Sequence, residues 1–187
     1  MLSLIRHTSF PLKMSNAASS PQLLSALTAV LGNKPGALSL PGSADYERYN
    51  GSYFSAFENE VKPSCIVKPA TVEQVQRLVH VLRPYALAGS IRIAIRGEGH
   101  TPFAGSANVQ NGITIDMRRV KGIKLREDKE AVEIAVGETW ATVYAELEKH
   151  GLTVAGGRVG RIGVAGFILG GRSCHCSNST APPLIYG

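Results

Sequence analysis

Two glycine-rich stretches constrain this chain more than anything else in it. The first reads Arg96-Gly97-Glu98-Gly99-His100-Thr101-Pro102-Phe103-Ala104-Gly105. The second reads Gly156-Gly157-Arg158-Val159-Gly160-Arg161-Ile162-Gly163-Val164-Ala165-Gly166-Phe167-Ile168-Leu169-Gly170-Gly171. Clustered glycines let the backbone turn sharply and approach a ligand with no Cβ in the way, so consecutive N–H groups can face an anion. A pyrophosphate suits such a pair of loops. Neither loop is a Rossmann fingerprint: Pro102 holds the place of the third glycine after Gly97-x-Gly99, and no helical pattern follows. A G-x-x-x-x-G-K-[ST] phosphate loop is absent. One such loop alone reads as a plain turn. Two, each after a strand-like run, read as a ligand site, with turn formation as the competing explanation.

The elements around the loops follow from periodicity. Ser20 as N-cap, Pro21 at the first helical position and Leu23, Leu27, Val30 and Leu31 on one face predict a helix over 21–31, stopped at Gly32. Cys65-Ile66-Val67 predicts a buried strand closed by Pro69. Thr71-x-x-Gln74 predicts a capping box, then a helix presenting Val72, Val75, Leu78, Val79 and Leu82 and ending at Pro84. Ile91, Ile93 and Ile95 predict a strand feeding the first loop, and Ile113 to Asp116 another. Ile123–Leu125 and Ala131–Val136 predict a hairpin turning at Glu127–Glu130. Thr139 caps a helix carrying Trp140, Val143, Tyr144 and Leu147, and Leu152–Ala155 predicts a strand into the second loop. Tyr46, Tyr49, Tyr53 and Tyr144 read as core or surface aromatics. Strands and helices do not alternate strictly, so the expected class is α+β.

Composition excludes more than it assigns. With 187 residues, 44% apolar and 18% charged, one folded domain is the default. Residues 1–20 are Ser-rich and read as a frayed N-terminus, residues 21–171 as the domain, and residues 172–187 as an unpatterned tail. The net charge of +6 is scattered, with no basic run interleaved with aromatics, which speaks against nucleic acid. No run of about 18 apolar residues suggests a membrane span. Cys174-His175-Cys176 offers soft ligands, but no second pair with ligand spacing completes a tetrahedral site, so no metal is assigned. Asn50-Gly51-Ser52 and Asn178-Ser179-Thr180 match the glycosylation sequon, which matters only in a secreted chain. Localisation stays open, leaning to the cytoplasm with secretion not excluded.

The residues R-G-x-G-H-T-P-x-A-G-S-A-N-x-x-x-G-I-T-I-D-M-R, followed by G-x-T-V-A-G-G-R-x-x-x-x-G-V-x-G-x-x-L-G-G, resemble a known family. They look like the FAD-binding domain of flavin-linked oxidases: the vanillyl-alcohol-oxidase (PCMH-type) fold, berberine-bridge-enzyme-like branch. The resemblance runs from Pro21 to Gly171, about four-fifths of the chain. It implies a PCMH-type FAD-binding domain with a complete N-terminal subdomain and a truncated second one. It also implies FAD as cofactor, with Arg96, Gly97, Gly99, His100 and Thr101 contacting it and His100 as a covalent attachment point. The second loop would add Gly157, Gly160, Gly163, Val164 and Gly166. A second attachment, through a cysteine found in some relatives, is not available because Val159 stands there.

Three departures shape the functional expectation. Glu98 replaces a glycine, bringing a side chain and a charge toward a pyrophosphate; a positive φ there would cost on the order of 1 kcal/mol. Ala165 replaces a second glycine and Arg172 a third, after which the family pattern ends. The expectation is thus a truncated, catalytically incomplete FAD-dependent oxidoreductase. Full-length relatives would take a hydride from a small-molecule substrate, at a carbon beside oxygen or nitrogen, and pass the electrons to oxygen. No catalytic base is assigned. The alternative is a non-catalytic phosphate- or nucleotide-binding module.

Overall fold

The computed structural model describes residues 17–171. The expectations for residues 1–16, for the tail 172–187, for Cys174-His175-Cys176 and for the Asn178 sequon lie outside them. Ala17–Ser19 form a 3-10 turn whose Ala18 is buried, so packed structure starts ahead of Pro21. Helix α1 (Pro21–Val30) follows, with the Ser20 hydroxyl accepting from the Leu23 N–H. The chain then forms β1 (Leu38–Ser39), α2 (Ala44–Asn50), α3 (Ala56–Glu60), β2 (Cys65–Val67), α4 (Val72–Leu87), β3 (Ile93–Arg96) and β4 (Ile113–Asp116). Their sheet has the order β1-β2-β4-β3, with β2, β4 and β3 parallel and β1 antiparallel at one edge. Helix α4 is the crossover from β2 to β3, and β4 slots between the two strands it joins.

Strand parity sorts the two faces. Cys65, Val67, Ile93, Ile113 and Ile115 point to one side and meet Leu23, Leu27, Leu78 and Leu82 of α1 and α4 in the main core. Burial pushes the Cys65 thiol up to about 12, so it serves as a core residue and not a nucleophile. The opposite face is polar. Thr114, Arg96, Asp116 and Lys68 are all buried beneath α2 and α3. Lys68 Nζ donates to Ser39 Oγ and to Asp45 at 3.0 Å and lies 3.9 Å from the Tyr49 ring centre. Asn108 donates to Asn50 Oδ1, Glu58 O and Val61 O and accepts from the Thr114 hydroxyl. Asn50 is 1% exposed and donates its amide to Asn59 O. Its sequon is therefore closed in the folded protein.

Two elements differ from expectation. Helix α4 runs through Pro84 to Leu87. Proline removes the N–H that would bond His80 and crowds that carbonyl, but Pro84 and His80 are both exposed, so solvent can reach the freed oxygen. The buried stripe is also narrower than Val72 to Leu82 suggested: Leu78 and Leu82 are buried, while Val72 and Val79 sit on the shoulder and are exposed. Residues 152–155 form no strand; Leu152 and Val154 pack their side chains into a second core instead. That core joins the β5 (Ile123–Leu125)–β6 (Val132–Ile134) hairpin, α5 (Trp140–Glu148) and α6 (Val164–Leu169), a helix the glycine pattern concealed. Trp140, fully buried, is its centre. The α+β class stands.

Candidate cofactor-binding site

The first glycine loop leaves the C-terminal end of β3, the edge of a parallel sheet where ligands gather in open α/β sheets. What shapes it is the segment 49–58 beneath it. Arg96 is fully buried, and its guanidinium donates to Tyr49 O at 2.6 Å and to Ser52 O and Oγ at 2.8 and 3.0 Å. It lies 3.4 Å from the Tyr53 ring centre. Burial works against its charge, and the neighbouring Tyr53 and Asp116 work for it. Gly99 turns with φ of 69° over Tyr53, whose Cδ1 would stand 2.5 Å from any added Cβ. The Gly99 carbonyl accepts from the Phe54 N–H, and the Phe54 ring stacks on His100 at 4.1 Å and 13°. Farther along, the buried Glu58 carboxylate accepts from the Gly105 and Ala107 N–H groups and the Ser106 hydroxyl. The loop is held from below at every turn.

Held in this way, the loop keeps its own backbone donors unspent. None of the N–H groups of Gly97, Glu98, Gly99, His100 and Thr101 has a protein acceptor among the described residues. Neither His100 ring nitrogen has one either. A Cβ built on Gly97 would touch nothing within 4 Å. Glu98 keeps a non-positive φ, so the strain anticipated for it is absent. Its backbone lies against the second loop: a Cβ on Gly163 would come within 3.1 Å of Glu98 N and 3.2 Å of its Cβ and Cγ. The two loops thus meet at Glu98 and Gly163, with a row of free amides beside the junction. An anion such as a pyrophosphate fits donors of this kind.

The second loop divides its residues between packing and exposure. Gly157 fits against Trp140 and its carbonyl accepts from the Tyr144 hydroxyl at 2.9 Å, while Gly160 lies over Ala141. Val164 is buried in the second core and donates its N–H to Glu138 O. A Cβ on Gly166 would meet open space. Gly163 is the second-loop residue that reaches the first loop through Glu98. Behind the junction, Asp116 is buried, ends β4 and holds Arg118 in an ion pair of 2.6 Å. Burial opposes the Arg118 charge, but its hydrogen bonds and attraction to Asp116, with a further pull from Glu98, raise its pKa. The supporting roles of Tyr49, Tyr53, Phe54 and Glu58 escaped the sequence reading. The tyrosine spacing at 46, 49 and 53 and the Ser43 cap carried the available signal.

Residues 63–181 match the FAD binding domain family FAD_binding_4. A FAD-dependent monooxygenase, CTB5 of Cercospora beticola, is 33% identical over 180 residues, which cover 95% of this chain and 33% of that protein. The chain thus spans about a third of that relative's length. Among solved structures, wild-type Phl p 4.0202, a glucose dehydrogenase, matches with a TM-score of 0.64 at 20% identity, over 78% of this chain and 30% of that one. Wild-type BBE-like 1 of Physcomitrella patens matches with a TM-score of 0.57 at 20% identity, over 73% and 29%. These likenesses give the fold: a PCMH-type, berberine-bridge-enzyme-like arrangement of a parallel-strand unit and a following hairpin unit. With the free amides of the loops and the matched stretch agreeing, the chain belongs to the FAD-binding domain family, and FAD is its cofactor.

Proposed function

We propose that this chain forms the FAD-holding part of a flavin-dependent oxidoreductase acting on a small molecule, with the pyrophosphate at Gly97–Thr101 and Gly163 and the flavin attached through His100. The observation that carries the reading is the row of unpartnered amides at the Glu98–Gly163 junction. When bound, FAD would supply the redox chemistry. The chain's own part is to bind and orient. Gly97 to Thr101 offer their N–H groups, and Gly97 and Gly166 leave room for close approach. The Phe54 stack fixes the plane of the His100 imidazole and leaves its nitrogens free at the ring edge. In this reading Arg96 serves the cofactor by shaping the loop, because both terminal nitrogens of its guanidinium are held by Tyr49 and Ser52, leaving only the buried Nε unpaired. The oxidative role draws on the name of the CTB5 relative, a FAD-dependent monooxygenase.

Visible absorbance of the purified chain, before and after acid precipitation, tests the assignment. Yellow colour held in the pellet, and lost in His100→Ala, is the expected result. Colour released to the supernatant would keep the loops and remove His100 as the attachment point. A folded, colourless chain that takes up ADP but no flavin would favour a nucleotide-binding module instead.

A further inference from the structure

The anion cradle contains an anion of its own. Glu98 lies in the middle of the row of free N–H groups, and its Cβ and Cγ press against Gly163, where the two loops meet. Its carboxylate makes no hydrogen bond or ion pair with any described residue. Arg118 is the cation that feels it most, and Arg118 is already committed to the buried Asp116 through three hydrogen bonds. The other charge near the loop base, Arg96, is sealed under it. A negative charge that no hydrogen bond or close ion pair neutralises thus stands beside donors suited to a phosphate. Its backbone is relaxed, with no positive φ, so the side chain sits there without strain.

We infer that Glu98 is an affinity-determining residue that works against the phosphates of the cofactor, weakening FAD binding in proportion to the ligand's charge. This rests on the reading that the pyrophosphate lies at Gly97–Thr101. Like charges within a few ångströms in a half-exposed site repel by enough to change an affinity about tenfold. The effect scales with phosphate charge: largest for FAD and FMN, nil for riboflavin, which has none. A purely steric role for the side chain would leave E98Q like the protein with Glu98 and relieve binding only in E98G.

The experiment is a flavin-fluorescence titration with riboflavin, FMN and FAD at fixed ionic strength, on three full-length proteins that all carry His100→Ala so that binding stays reversible: one with Glu98 in place, one with Glu98→Gln and one with Glu98→Gly. Glutamine keeps the shape and removes the charge. The expected result is FAD and FMN dissociation constants about tenfold lower with E98Q than with Glu98 in place, with riboflavin unchanged and E98G following E98Q. Equal FAD affinity in all three proteins would overturn the inference and leave the cofactor site intact. Weaker FAD binding in E98Q would also overturn it, showing the carboxylate to be a ligand to the cofactor. If no flavin quenches in any of the three proteins, while circular dichroism shows them folded, the site assignment fails and the inference with it.

Discussion

Arg96 is the residue where recognition and physics give different emphases. The motif that contains it marks it as a cofactor contact, whereas its surroundings make it the clamp of the segment 49–54. A buried guanidinium that satisfies two backbone carbonyls and covers a tyrosine ring cannot be replaced by an ammonium, which lacks the planar fork. Arg96→Lys is expected to lower the stability of the flavin-free chain by about 2–4 kcal/mol, the usual cost of leaving buried partners unmet. Urea denaturation of the apoprotein measures it. If Arg96 acted only through the cofactor, the apoprotein midpoint would not move. His100 is the reverse case. Its place in the motif was legible, but the Phe54 ring that orients it was not, because no sequence pattern announces a stack between residues so far apart in the chain.

At the scale of elements, the long periodic stretches were readable and the short polar ones were not. Helices α1, α4 and α5 follow from their caps and apolar stripes, and the β5–β6 hairpin from its charged turn. Helices α2 and α3 have 7 and 5 residues, and side chains reaching across the fold hold them in place: Tyr46 to Pro63 O, Asn50 to Asn59 O, Glu58 to the loop at 105–107. Glu138 does the same for the second unit. It accepts from the Gly122 N–H at 2.9 Å and the Thr142 hydroxyl at 2.8 Å, tying the hairpin to α5, and its carbonyl receives the Val164 N–H at the start of α6. Burial raises its pKa, but the Thr142 and Gly122 donors and Lys121 outweigh that and leave it below its ordinary value. A carboxylate held lower in the folded state stabilises the fold above its unfolded pKa, and that contribution fades as pH falls through the folded one. Glu138→Gln is accordingly expected to cost about 1–2 kcal/mol at pH 7. The difference from the unaltered chain should shrink below about pH 4, the carboxylate range. Thermal melts from pH 3 to 7 follow the gap; a difference constant across that range would show that the charge of Glu138 is not what matters.

At the scale of the molecule, the described residues form two cores, one around the parallel strands and one around Trp140, and the loops that meet at Glu98 and Gly163 belong to different ones. A ligand spanning the junction ties them together. In the His100→Ala chain, where binding is reversible, FAD at a hundred times its dissociation constant should add about 2.7 kcal/mol to stability. Hydrogen exchange should show slower amide exchange at 97–101 and at 163–166 in the same titration. Protection of only one loop would mean the cofactor rests on a single core.

Asn50 carries a different consequence, one of timing. A sugar-transferring enzyme reads Asn50-Gly51-Ser52 as a string, while the chain is still threading into a secretory compartment. The folded protein has already used that amide: its N–H donates to the Asn59 carbonyl and its oxygen accepts from the Asn108 amide, at the buried end of α2. A glycan placed there first would bar the polar layer under α2 from ever closing. In a cell that exports this chain, sugar transfer and folding compete for one side chain, and only the copies that fold first reach the form described above.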